Sequence, residues 1–224
     1  SWQRISPDLT TNDQEKQKQA ESGGVTVDNT SAENHCTIFS IGTSPLDENL
    51  IYVGTDDGNI QVTRDGGKNW ELISKNIPEV PKGTWVSRVT PSRFDRNVVY
   101  ATFDNHAYGD MKTYAAKSLD GGKTWVNINT DKVLQGYAHV IVEDTENRNL
   151  LFLGTEFGLY ISTDAGQSWV LYKSKVPEYV AVRDIVVHPK TSDLVLATHG
   201  RGVFIIDDIS SLRRLTPEVL QKDA

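Results

Sequence analysis

The 224-residue chain has one cysteine, Cys36, which excludes an internal disulfide and a multi-cysteine zinc site. It has no apolar run near the roughly 20 residues that a membrane-spanning helix needs. Positive charge is in deficit, with 23 Lys and Arg against 30 Asp and Glu and a net charge of −7. A binder of phosphate backbones needs a clustered basic surface, so no nucleic-acid partner is expected. There is no Gly-x-Ser-x-Gly and no phosphate loop. Gly121-Gly-Lys-Thr124 mimics the end of such a loop, but no helix pattern follows it. The chain opens Ser1-Trp-Gln-Arg-Ile5, with no initiator Met, basic n-region or apolar h-region. Either a targeting segment has been removed or the chain is a piece of something longer. No cofactor and no metal site are expected from its motifs. What remains, 38% hydrophobic and 24% charged, reads as a soluble globular chain with room for one sizeable domain.

An internal repeat is present. Thr63-Arg-Asp-Gly-Gly-Lys-Asn-Trp70, Ser118-Leu-Asp-Gly-Gly-Lys-Thr-Trp125 and Ser162-Thr-Asp-Ala-Gly-Gln-Ser-Trp169 share Ser/Thr-x-Asp-x-Gly-x-x-Trp. Asp65, Asp120 and Asp164 suit turns in which a carboxylate accepts from loop N–H groups. The glycines suit left-handed backbone, and Trp70, Trp125 and Trp169 bring a large ring to the start of the next strand. A device repeated three times reads as scaffold, whereas a site is normally unique.

Around each box the same phrase recurs. Strand A, Cys36–Gly42, is followed by strand B at Leu50–Thr55, a turn at Asp56-Asp-Gly58, strand C at Asn59–Thr63 and strand D at Trp70–Ile73. Further A strands begin near Val86, Ala138 and Val182. The B strands fall at Val98–Thr102, Leu150–Thr155 and Leu194–Thr198, and the C strands at Tyr114–Ser118, Leu159–Ser162 and Val203–Ile206. Short β-rich runs bounded by turn residues predict an all-β fold, a β-propeller of about four four-stranded blades over 36–215. The fourth set loses its box, while Trp2-Gln-Arg-Ile5 looks like a D strand with nothing before it. Residues 1–6 therefore read as an orphan outer strand, which either closes a four-bladed ring or ends an earlier blade. Residues 7–35 read as a surface insertion, helix-permissive at 12–20. Residues 216–224 read as a short helix or linker, with Thr216 as N-cap and Pro217 at N1.

The boxes resemble those of Asp-box propellers: sialidases, xyloglucanase-type glycosidases, sortilin-type receptors and photosystem assembly factors. Over nearly the whole chain, Asp28–Phe39, Val53-Gly-Thr-Asp-Asp-Gly58, Ala197-Thr-His-Gly-Arg-Gly202 and Ile206–Pro217 resemble the propellers of large secreted bacterial proteins related to sortilin. That resemblance implies an exported protein, secreted or periplasmic, and a longer natural chain. It implies no particular activity, because repeat likeness describes the scaffold. Partners it suggests are further propeller blades, or another chain completing the ring.

Propeller geometry places the A–B turns and boxes on one face and the B–C turns and D–A connections on the other, at the channel mouth. That rim collects Asp56, Asp57, Glu156, His199, Arg201 and the loop Asp104–Asp110 with His106. The connections add Glu33, His35, Trp85, Tyr137 and Tyr179. Flat aromatics beside charges suit a peptide, protein or glycan ligand. Each residue also has a plainer reading: Asp56-Asp57-Gly58 and Glu156-Phe157-Gly158 as hairpin turns, His106 and His139 as solvated or core histidines, and Arg201 in a structural ion pair. A glycoside hydrolase needs two carboxylates across a sugar bond, for which Glu156 with Asp56 or Asp57 is the available pairing. Sialidase chemistry wants an arginine cluster, and the rim offers chiefly Arg201, with Arg88 and Arg183 in A strands. The expectation is a binding or assembly module, with glycoside hydrolysis as the alternative.

Overall fold

The computed structural model describes residues 2–18, 35–75, 77–129, 132–177 and 179–215. Among these residues, fifteen strands form four antiparallel sheets, each a meander in chain order. Blade 1 holds β1 (Ile38–Thr43), β2 (Ile51–Thr55), β3 (Ile60–Thr63) and β4 (Glu71–Leu72). Blade 2 holds β5 (Trp85–Pro91), β6 (Val99–Asp104), β7 (Tyr114–Ser118) and β8 (Val126–Asn127). Blade 3 holds β9 (Ala138–Glu143), β10 (Leu151–Thr155), β11 (Gly158–Ser162) and β12 (Val170–Leu171). Blade 4 has three strands, β13 (Val182–Val187), β14 (Leu194–Thr198) and β15 (Val203–Ile206). The all-β propeller blades are thus present, with strand ends shifted by a residue or two from those expected.

The second strands of blades 2 and 3 are covered on both faces, which is why Leu151–Leu153 reads as a continuous apolar run. Three apolar seams hold the arc together. Tyr52, Ile60 and Val62 of blade 1 meet Val86, Val89 and Phe103 of blade 2. Tyr100 and Ala115 meet Ile141, Leu151 and Leu153 of blade 3, and Phe152, Leu159 and Ile161 meet Ile185, Leu194 and Leu196 of blade 4. Each fully buried large side chain stabilises its seam by about 1.5–3 kcal/mol. The innermost strands pack in sequence, β1 on β5, β5 on β9 and β9 on β13. Across the central channel, Arg88 on β5 reaches Asp184 on β13 at 2.9 Å.

The three boxes are built alike. Ser118 Oγ donates to Asp120 Oδ1 at 2.8 Å and accepts from Gly122 N, while Asp120 also accepts from Thr124 N and Oγ1. Asp65 and Asp164 repeat this pattern. These bonds hold the Asp65 and Asp120 carboxyls down to about 2, and they lower Asp164 against the opposing effect of its burial. Each box lies on the A–B turn of its own blade, with Gly66 N on Asn49 O and Gly121 N on Asn97 O. The indoles of the second and third box tryptophans cross a seam to the blade before: Trp125 Nε1 donates to Ile73 O at 3.0 Å and Trp169 Nε1 to Ile128 O at 2.8 Å.

The ends depart from the sequence reading. Among the described residues Trp2–Ile5 forms no strand ladder and does not pair with β15, so of its two readings it does not close a four-bladed ring; Ile5 is seated on the first box. Residues 7–12 are not loosely draped: Leu9 is buried, and its carbonyl accepts from Asn59 and Gln61. Residues 14–17 form turns rather than the start of a helix, since Asp13 accepts from the N–H groups of Glu15 and Lys16. After β15, a short 3-10 helix at Ile209–Arg214 takes the place of a fourth box. Its Arg213 makes a two-pronged pair with the buried Asp144 at 2.8 and 3.0 Å. The expected helix at 216–224 lies outside the described residues.

Candidate ligand-binding rim

Every innermost strand carries a register shift at the same place, between Ile38 and Ser40, Val86 and Arg88, Ala138 and Val140, and Val182 and Asp184. The skipped residues are Phe39, Ser87, His139 and Arg183. A bulge re-aims the side chain it carries, and here it sits at the channel-mouth end of each blade. The four positions match in backbone and differ in chemistry.

Around the bulges of blades 3 and 4 a polar network assembles. His139 Nε2 lies 3.0 Å from Glu156 Oε2, and Arg183 reaches both His139 Nδ1 at 3.4 Å and Glu156 at 3.6 Å. These partners assign a neutral imidazole that donates from Nε2 and accepts at Nδ1. Burial, reinforced by the Arg183 charge, lowers the His139 pKa and agrees with that state. The Tyr137 hydroxyl is pushed up to about 12, by burial first and then by its bond to Glu156, so it remains a donor. Burial opposes ionisation of Glu156, yet the bonds from His139 and Tyr137 and the Arg183 charge bring its carboxyl below the usual value. Blade 2 joins through its B–C loop, where a 3-10 turn at His106–Tyr108 stacks His106 on Tyr137 at 4.6 Å. Asp104 orients that ring, with Oδ1 2.6 Å from His106 Nδ1.

Three blades thus converge on one patch. Its inner members His139 and Asp104 are buried, while Arg183 and His106 are 43% and 42% exposed and Glu156 is 25% exposed. The open edge offers a guanidinium, an imidazole and a carboxylate already locked by neighbours. Charge-assisted hydrogen bonding to a polar ligand needs little further ordering of such groups.

Of the residues expected at the rim, the structure brings Glu156, His106 and Tyr137 together. Asp56 and Asp57 are used locally. Asp56 accepts from Thr37 N and Oγ1, and the buried Asp57 accepts from Thr55 Oγ1 and from Thr11 N and Oγ1. Of the expected carboxylate pairing, the aspartate side pins loops and Glu156 alone joins the network. His35 lies 4.0 Å from Asp56, and Trp85 meets Phe39 edge-on at 4.6 Å. Tyr179 is exposed near Phe157, and Glu33 lies outside the described residues. His199 and Arg201 occupy an exposed hairpin turn closed by Thr198 on Gly202 O, with no ion pair to Arg201 among the described residues. His139 is buried, as its core reading had it, yet it bonds Glu156; Arg183 was assigned only to a strand. A cleft of about 970 Å³ lies away from the network, between residues 11–16 and the 74–84 connection. Among the described residues, no cluster of three or more His, Cys, Asp or Glu is placed to hold a metal ion.

The fold defines an Asp-box β-propeller. Residues 113–211, from the third strand of blade 2 through blade 4, match the Sortilin-Vps10 family, described as sortilin, neurotensin receptor 3. Two fungal proteins, the vacuolar protein sorting/targeting protein 10 of Arthroderma gypseum and that of Neosartorya fischeri, are each 32% identical over 106 and 108 residues. Those stretches cover 45% and 48% of this chain but only 7% and 6% of the relatives, which are far longer. Among solved structures, YCF48 bound to D1 peptide superposes with a TM-score of 0.56 at 18% identity, over 76% of this chain and 51% of that one. The GH74 enzyme of Niastella koreensis gives 0.60 at 14% identity, over 79% and 29%, and the GH74 xyloglucanase of Xanthomonas campestris 0.59 at 14%, over 76% and 29%. At these identities the likeness is one of fold.

Proposed function

We propose that this chain is the recognition part of an exported propeller protein, and that it captures an extended peptide across the rim of blades 2 to 4. The observation that carries this reading is the preformed network of Glu156, His139, Arg183, Tyr137 and His106, contributed by three blades and facing solvent at its edge. A peptide backbone presents alternating donors and acceptors, which a fixed carboxylate and guanidinium match, and the His106 imidazole adds a further polar contact. The peptide-bound YCF48 propeller supports the same use of the fold. The likeness to sorting proteins supports export and a role in holding a cargo or an assembly partner.

Glycoside hydrolysis is the weaker reading. A glycosidase holds one carboxyl protonated as general acid, which requires a raised pKa. Glu156 and Asp57 are both shifted the other way. The test is a paired array of peptides and xyloglucan or sialylated oligosaccharides, probed with the wild type and with Glu156→Gln. Peptide binding that Glu156→Gln abolishes supports the proposal. Hydrolysis of any glycan, or peptide binding indifferent to Glu156→Gln, overturns it.

A further inference from the structure

The phrase Trp2-Gln-Arg-Ile5 matches Trp70-Glu-Leu-Ile73 and Trp125-Val-Asn-Ile128 in sequence, and Ile5 also matches Ile73 and Ile128 in what it touches. Trp70 Nε1 donates to Ile5 O at 3.0 Å, just as Trp125 donates to Ile73 O and Trp169 to Ile128 O. A Cβ on Gly67 would strike Ile5, as one on Gly122 would strike Ile73. Ile73 and Ile128 each directly follow the outer strand of the blade before the box they contact. Ile5 therefore stands where the outer strand of a blade preceding blade 1 would end.

Among the described residues, the face behind it is uncovered. By register, Ile41 on β1 is equivalent to Val89, Ile141 and Ile185, each opposite the third residue of its neighbouring strand. Those three are 2%, 0% and 3% exposed, whereas Ile41 is 66% exposed. Ile38 is 43% exposed where Val86, Ala138 and Val182 are fully buried. Trp70 is only half-buried, while Trp125 and Trp169 are buried. Leu9 is buried on the blade-1 side of this face, as Leu134, Val176 and Val180 are in their seams after their own outer strands. An exposed β-rich face of this kind marks an interaction surface.

We propose that this face and Trp2–Ile5 together form a seat for a further Asp-box blade, which takes Trp2–Ile5 as its fourth strand. This surface is separate from the peptide rim. The occupant has three antiparallel strands of its own, an aromatic or large aliphatic residue at the place of Tyr52, Tyr100 and Phe152, and a third strand that ends in a box. The last requirement follows because Trp2 occupies the tryptophan position of a box. Blade 4 of a second copy does not meet it, since Ile206 replaces the opening Ser or Thr and no box follows β15. This chain spans only 29% to 51% of the longer proteins that share its fold.

Register makes the proposal specific. Glu71, Val126 and Val170 pair with Val62, Lys117 and Ile161, each of which immediately precedes the Ser or Thr of its box. Gln3 is their equivalent. Photoreactive side chains at Gln3 and at Ile41, in the protein produced in its native source, should capture two strands of one sequence. The Gln3 cross-link should fall on the residue directly before a Ser/Thr-x-Asp-x-Gly box. Capture of Ile205 in a second copy, of a sequence without a box, or of nothing overturns the proposal. An independent check uses position-matched charge: Ile41→Lys should leave the melting temperature of the isolated chain unchanged, and Val89→Lys should prevent folding. Equal damage from both would mean the Ile41 face is already covered and would also overturn it.

Discussion

The two ends of each blade are built under opposite rules. At the box end, three loops repeat the same Ser/Thr–Asp–Gly–Trp bonds with nearly the same distances. At the channel mouth, four bulges with the same backbone offset carry phenylalanine, serine, histidine and arginine. Repetition marks what every blade needs in order to pack. On the proposed reading, divergence at a matched position serves a single ligand. Stability and recognition then fall on opposite edges, and substitutions at the two should separate.

The largest effect is expected where blade 4 abandons the repeat. Arg213→Ala leaves Asp144 buried with its charge uncompensated, and loss of one partner of a buried pair costs about 3–5 kcal/mol. Urea unfolding should show that loss as a lower midpoint at an unchanged slope. At the mouth, Arg183→Ala should weaken peptide binding about 10- to 100-fold, the size of a lost charged hydrogen bond, and calorimetric titration would read it. Its melting temperature should stay near the wild type, because the guanidinium is partly exposed and the ring of His139 keeps its bond to Glu156.

Asp164→Ala should cost about 1–2 kcal/mol, as for a lost cap, because the N–H groups of Gln167 and Ser168 lose their acceptor. The boxes also predict acid behaviour. Asp65 and Asp120 have folded pKa values of about 2 against an ordinary 3.8. Their stabilisation is complete above 3.8 and is lost as pH falls through about 2, so melting temperature should drop across that window. A double Asp65→Asn, Asp120→Asn variant should lose much of the slope. The smallest effect is a gain. Ala165 sits at φ 59 where the other boxes have Gly66 and Gly121 at φ 69 and 74. Ala165→Gly should relieve that strain and stabilise the chain by about 0.5–1 kcal/mol, readable as a rise in melting temperature.

The box end was legible in the sequence because its bonds join residues within one eight-residue phrase that recurs three times. The blade order followed from the same repeats. The mouth was legible only in part. Glu156, His106 and Tyr137 could be placed on the rim from loop order alone. His139 and Arg183 could not be given their roles, because simple alternation along a strand hides a bulge that turns the second residue out of register. Aligning Ala138-His139 and Val182-Arg183 with Ile38-Phe39 would have exposed the shared offset. Asp57 looked free for catalysis because its partner Thr11 lies 46 residues away across an insertion. The 3-10 helix at Ile209–Arg214 escaped notice because its anchor, Asp144, belongs to another blade.

The central claim is that the mouth network recognises a ligand while the boxes hold the fold. Its most direct test is the affinity and the melting temperature of Glu156→Gln and Asp164→Ala, measured side by side with one peptide that the wild type binds. Glu156→Gln should lose at least tenfold in affinity with its melting temperature kept, and Asp164→Ala should melt earlier with its affinity kept. Unchanged affinity in Glu156→Gln, or parallel losses in both variants, would contradict the division.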